Sequence, residues 1–111
     1  MRLPNAERAI VELRKVRDYL LSPGHPVGRF KALFFGRLGF TTETWQELRD
    51  ELRSVPLQEE AELAERTAYG QKYIVRGTIA GAAGREARVL TVWIILNDED
   101  TPRLVTAYPE R

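Results

Sequence analysis

Five side chains carry most of the chemistry this sequence can offer: His25, Lys31, Arg76, Thr106 and Tyr108. His25 is the one histidine of the chain and stands in a Pro23-Gly24-His25-Pro26 loop. Imidazole titrates near neutral pH, so it can give or take a proton without much tuning. Lys31 falls early in the helix that follows, with Arg29 just before it. Together with the helix amides, these cations would make a phosphate-attracting surface. In Arg103-Leu104-Val105-Thr106-Ala107-Tyr108, strict alternation sets Leu104, Thr106 and Tyr108 on one strand face and Arg103, Val105 and Ala107 on the other. The hydroxyls of Thr106 and Tyr108 could then donate side by side to a phosphate oxygen, and the Tyr108 ring could stack on a base. Lys72, Arg76 and Thr78 fall in phase on another strand, around Ile74, in a pattern that suits a phosphodiester. Each group also has a plainer reading: a surface loop histidine, a lysine lying along an apolar stripe, hydroxyls that only pack, a solvated strand face.

Other chemistries have less to stand on. The chain has no cysteine, which removes disulfides, thiolate nucleophiles and thiolate zinc sites. One histidine removes a multi-histidine metal centre. Glu59, Glu60, Glu62 and Glu65 lack a histidine partner, and Asp98-Glu99-Asp100 lacks the ligand spacing of a calcium loop, so both read as solvated charge. No phosphate loop, dinucleotide fingerprint or serine elbow occurs. No cofactor or metal is expected.

The elements that must position these groups split into a helical half, 1–56, and a strand-rich half, 57–111, of one expected domain spanning 1–111. Ile10, Leu13, Val16 and Leu20 form one helical stripe, stopped by Ser22-Pro23-Gly24-His25-Pro26. A second helix is expected to begin near Pro26, with Phe30, Leu33, Phe34 and Leu38 buried and Gly39 as its stop. A third buries Trp45, Leu48, Leu52 and Val55 and ends at Pro56; Thr44 with Glu47 fits a capping box, with Thr42 as the other candidate cap. From about Leu57 the period changes to two. Residues 61–68 read as an edge strand and Gln71 to Ile79 as a better one. Glu86 to Leu96 is the strongest, its continuous apolar end implying burial on both faces; Arg103 to Tyr108 is the last. Short connections favour an antiparallel meander. The fold class is therefore α+β, with N-terminal helices packed on a four-stranded antiparallel sheet.

Net charge is +1, but its distribution is uneven: residues 1–40 carry +5, residues 41–68 carry −5 and residues 69–111 carry +1. A basic N-terminal third can attract a polyanion; two helix faces of opposite sign explain the same numbers. No apolar run approaches the roughly 20 residues of a membrane helix, and Met1-Arg2-Leu3-Pro4-Asn5 lacks the apolar core of a signal peptide. A cytoplasmic location is the expectation, unless the chain is a fragment of a larger secreted protein.

Several segments look familiar. Lys15-Val16-Arg17-Asp18-Tyr19-Leu20-Leu21-Ser22-Pro23, His25-Pro26-Val27-Gly28 and Lys31-Ala32 resemble the first half of a small uncharacterised bacterial domain family. Tyr69-Gly70-Gln71-Lys72-Tyr73, Val92-Trp93-Ile94 and Leu104-Val105-Thr106-Ala107-Tyr108-Pro109 resemble its second half. More distantly, helices followed by a four-stranded sheet, with an early His/Lys segment and a late Thr-x-Tyr-Pro strand, resemble the barnase–EndoU–colicin–RelE group of ribonucleases. That group includes many toxin domains that cut RNA through the ribose 2′-hydroxyl without a metal.

The resemblance implies an endoribonuclease toxin of a toxin–antitoxin or polymorphic toxin system, with RNA as substrate and a small antitoxin or immunity protein as partner. On that expectation His25 is base or acid, and Lys31 and Arg76 stabilise charge on phosphorus. Thr106 and Tyr108 orient the phosphate or relay a proton, and Arg29 and Lys72 bind substrate. The alternative is a non-catalytic protein-binding module of the same kind of system, suggested by the acidic middle segment and a free edge near residues 61–68. A nucleic-acid-binding domain without chemistry is a third reading, weakened by the near-neutral charge.

Overall fold

The computed structural model describes residues 1–110. Four strands, β1 (Ala61–Arg66), β2 (Gly70–Ala80), β3 (Glu86–Leu96) and β4 (Arg103–Pro109), form one antiparallel sheet in the order β1-β2-β3-β4. Ahead of them come α1 (Leu13–Lys15), which runs into a π-helical turn at Val16–Leu20, then α2 (Arg29–Arg37) and α3 (Trp45–Gln58). The helices pack on the sheet, giving the α+β architecture expected from the order of periodicities.

The strands β2 and β3 pair without a break from Gly70↔Leu96 to Ala80↔Glu86. Their alternation decides which face is covered. Tyr73, Val75 and Ile79 of β2 and Val89, Thr91 and Trp93 of β3 are buried, whereas Lys72, Ile74 and Arg76 on the other face are half-buried. The stripe Leu48, Leu52 and Val55 of α3 is buried. At Gly77 the missing side chain makes room for Val55, whose Cγ1 would lie 2.9 Å from a Cβ there. Thr91 is the buried polar group of this layer. Its hydroxyl donates to the Val75 carbonyl at 2.7 Å and accepts the Trp93 indole N–H at 2.8 Å, so neither polar atom is stranded.

Several local expectations need correction. The stripe from Ile10 to Leu20 is not one helix. Ile10 bridges to Arg103 instead, its N–H donating to the Pro102 carbonyl at 2.8 Å and its carbonyl accepting from Leu104 at 2.9 Å. An edge strand leaves backbone groups unpaired, and the N-terminal segment takes up part of that demand. The Leu21 N–H then bonds the Val16 carbonyl at 2.9 Å, a five-residue step that inserts a residue into the turn; Val16, Leu20 and Leu21 are all buried. Next, α2 starts at Arg29, and Phe30 and Leu33 are exposed while Phe35 and Leu38 carry the burial. Pro56 does not end α3; it lies buried in the last turn, where the helix runs on to Gln58 and Glu59 N–H still reaches the Val55 carbonyl at 3.0 Å. The capping box lies at Thr41 and Thr44, one turn earlier than Thr44 and Glu47. At the end of β3, Ile94, Ile95 and Leu96 are half-buried.

The last strand departs from strict alternation. Val92 pairs with Thr106 but Trp93 pairs with Leu104, so Val105 is an extra residue in β4. This bulge shifts the phase. Leu104 and Ala107, three apart, both turn to the buried layer, and Thr106 and Tyr108 lie across from Val92 and Leu90. Leu104 therefore does not share a face with Thr106 and Tyr108. Among the described residues, no helix is long and apolar enough to cross a membrane.

Candidate active site

The bulge of β4 and the π-helical turn meet at Tyr19. The Lys31 ammonium donates to the Tyr19 phenolic oxygen at 2.9 Å, and the Thr106 hydroxyl is hydrogen-bonded to the same oxygen at 3.3 Å. The His25 ring stands edge-on to the Tyr19 ring, centroids 5.1 Å apart. Lys31 and Lys15 also lie near that ring, their ammonium groups 5.2 and 6.0 Å from its centroid. Burial would push the Tyr19 phenol up. The hydrogen bonds from Lys31 and Thr106 and the charges of Lys31 and Lys15 outweigh it and hold the phenol below the ordinary tyrosine range.

His25 is fixed by its own loop. Its Nδ1 accepts the backbone N–H groups of Val27 at 3.0 Å and Gly28 at 2.9 Å. Both amides need the Nδ1 lone pair, so the neutral ring carries its proton on Nε2. In this conformation the Nε2–H of His25 can donate, and that nitrogen is not set up to accept a proton. Gly28 has a steric reason to be glycine: a Cβ would overlap the carbonyl of Tyr19. The His25–Gly28 turn thus packs directly on the segment that carries the phenol.

Two depressions lie at the Tyr19–Lys31 hydrogen bond, Tyr19 lining one and Lys31 the other. One is an open groove of about 590 Å³ lined by Arg14, Lys15, Asp18, Tyr19, His25, Val27, Val105 and Thr106. The other, about 350 Å³, is lined by Phe30, Lys31, Tyr108 and Pro109. The groove holds a proton-transfer group beside the Lys15 ammonium, the Arg14 guanidinium, the Asp18 carboxylate, a hydroxyl and an imidazole N–H, and the Lys31 ammonium reaches the phenolic oxygen from the second depression. That set can remove a proton from an alcohol and stabilise an anion formed next to it.

The model of one family matches residues 2–111, nearly the whole length. The chain belongs to the family described as Domain of unknown function (DUF6883). No curated protein matches it. Its fold is similar to that of a chain in a contact-dependent growth inhibition toxin–immunity protein complex from Klebsiella pneumoniae 342. The TM-score is 0.71 at 19% identity, over 96% of this chain and 97% of that one, and at this identity the likeness is one of fold.

Of the residues singled out from the sequence of this family member, the fold gathers His25, Lys31 and Thr106 around Tyr19 and sets Tyr108 beyond Lys31. It does not gather Arg76 and Lys72. Arg76 lies two strands away, in the row Arg76–Leu90–Tyr108, where Glu62 and Glu110 (3.0 Å) hold its guanidinium. Lys72 pairs with Glu65 at 3.2 Å. Arg29 stacks its guanidinium over the Phe30 ring at 4.9 Å. Tyr19 and Lys15 were absent from the sequence-derived set. They stand four apart on one helical segment, a spacing that puts a cation beside a phenol and could have singled them out.

Proposed function

We propose that the chain is a metal-independent endoribonuclease that cuts RNA by attack of a ribose 2′-hydroxyl on the adjacent phosphorus, and that it serves as the toxin of a toxin–immunity system. The observation that carries the chemistry is the Lys31–Tyr19–Thr106 hydrogen-bonded array, whose Tyr19 and Thr106 line an open groove. The kinship of fold with a chain from a growth-inhibition toxin–immunity complex supports the biological setting.

In this reading Tyr19, as phenolate, takes the 2′-hydroxyl proton while Thr106 donates to the phenolate oxygen. The 2′-oxygen forms its bond to phosphorus and the bond to the 5′-oxygen breaks. Lys31 and Lys15 face the charge that builds on the phosphoryl oxygens, and His25 donates to it from Nε2. The leaving 5′-oxygen takes a proton from the Lys31 ammonium. The 2.9 Å hydrogen bond then returns a proton from the Tyr19 hydroxyl to Lys31, restoring both groups. The products are a 2′,3′-cyclic phosphate and a 5′-hydroxyl. Arg76 and Lys72, engaged by carboxylates elsewhere on the sheet, have no part in these steps. Tyr108 is reserved for the neighbouring nucleotide.

The test uses an oligonucleotide that is DNA except for one ribose, incubated with the purified chain in chelator. Cleavage after that ribose, with a cyclic phosphate end, is the expected result. An all-DNA control cut equally well, or no cutting at all, would overturn the proposal.

A second reading, a non-catalytic module, draws on β1. Ala61–Arg66 is an edge strand with Leu63 exposed, suited to pairing with another chain. Expression separates the two: a toxin stunts its host unless a partner is present, and a module does not.

A further inference from the structure

We propose that Val27, Phe30 and Leu33 form a docking ridge for an acidic protein, which on binding closes the groove beside Tyr19. The three residues recur at spacings of three through the His25–Gly28 turn and α2, and they are 62%, 66% and 59% exposed. Such a row is what a helix normally buries, yet Phe35 of α2 and Leu38 just after it turn inward and this row stays outside. Each residue also borders a depression. Val27 lines the groove of Tyr19, and Phe30 lines the depression shared by Lys31 and Tyr108. Leu33 lines a third, about 260 Å³, formed with Leu21, Pro23 and Phe40.

Charge identifies the occupant. From Tyr19 to Thr42 the chain has no aspartate or glutamate, while Arg29, Lys31 and Arg37 all fall in this stretch. Among the described residues none of these three has a carboxylate within 4.0 Å, in contrast to Arg76 and Arg103, which each contact two. An apolar ridge flanked by cations that the chain itself leaves without carboxylates fits a partner that brings apolar side chains and carboxylates. A second copy in a two-fold contact would set these cations against themselves. RNA would match the cations but gains little from aliphatic Val27 and Leu33, which offer neither ring nor hydrogen bond. A protein seated on Val27 and Phe30 covers both the groove lined by Tyr19 and the depression lined by Lys31. The docking stands on the ridge alone; only its inhibitory consequence rests on the nuclease reading.

To test this, benzoylphenylalanine replaces Leu33 in the full chain, expressed in its source cells, with the same replacement at exposed Tyr69 as control. The protein crosslinked at position 33 and not at 69 is then purified and titrated against the chain. The expected partner is acidic and binds one to one, more weakly as salt rises. Leu33→Asp should weaken its binding about 100-fold, as loss of an interface anchor does, and Leu57→Asp on α3 should not. Free of partner, Leu33→Asp should cleave RNA at the wild-type rate but escape inhibition. Crosslinking to RNA or to a second copy, no partner specific to position 33, a partner that is not acidic, or unchanged binding by Leu33→Asp would each overturn the docking proposal. A wild type that binds the partner but cuts no RNA would overturn the nuclease reading and leave the docking intact.

Discussion

The Lys31 ammonium lies 2.9 Å from the phenolic oxygen of Tyr19, twelve residues away in sequence and on the far side of a proline-rich loop. This contact couples α2 to the π-helical turn and lowers the affinity of the phenol for its proton.

The pH dependence of the site follows from that coupling. Cleavage should rise with pH and level off below about pH 10, the ordinary tyrosine value. Lys31→Met removes both the hydrogen bond and the charge, so the rise should move to higher pH as well as losing amplitude. A pH–rate series on both proteins checks this. A midpoint unmoved in Lys31→Met would separate the profile from Tyr19.

Stability should carry the same signature. The native phenol is held below its unfolded value, so its contribution is present above the unfolded value and is lost as pH falls through the native one. Urea midpoints of wild type and Tyr19→Phe should therefore diverge in favour of wild type as pH climbs toward about 10. A constant difference across that window would contradict the lowered phenol.

His25 does two jobs that substitution can separate. Removing Nδ1 in His25→Ala leaves the Val27 and Gly28 amides without their acceptor, at a cost of about 1 kcal/mol. His25→Asn offers a carbonyl oxygen in the same place and should regain most of that stability. Neither variant supplies the Nε2 donor, so both should cleave RNA slowly. Denaturation and cleavage assays on the pair decide it, and a fully active His25→Asn would remove His25 from the chemistry.

Gly28 ties the loop to the phenol. Gly28→Ala drives a methyl group into the Tyr19 carbonyl and should cost about 1–3 kcal/mol as overpacking. It should also move the Tyr19 resonances in an NMR spectrum, whereas Gly24→Ala, with open space around it, should leave them in place.

How much of this was legible in the sequence depends on whether a rule was local. The stripe Leu48, Leu52 and Val55 and the paired runs of β2 and β3 follow from period alone, and the sheet order follows from short connections. The exposed row Phe30 and Leu33 did not: periodicity reports that a helix has an apolar face, not which neighbour receives it. The π-helical turn and the Val105 bulge each add one residue to a regular repeat, and no fixed period can show that. Those two irregularities bring Tyr19 to Thr106, which is why the phenol was missed although His25, Lys31 and Thr106 were not. Arg76 was in phase with a phosphate site by alternation. Glu62 and Glu110, distant in sequence, engage it.

The central claim is that the Tyr19 oxygen handles the proton of the attacking hydroxyl. It is tested by the single-turnover cleavage rate of Tyr19→Phe beside wild type, on the single-ribose oligonucleotide, in chelator. Tyr19→Phe keeps the ring against His25 and should fold as wild type by circular dichroism, while its rate falls about 10²–10⁴-fold. A folded Tyr19→Phe that cuts at the wild-type rate would contradict the claim.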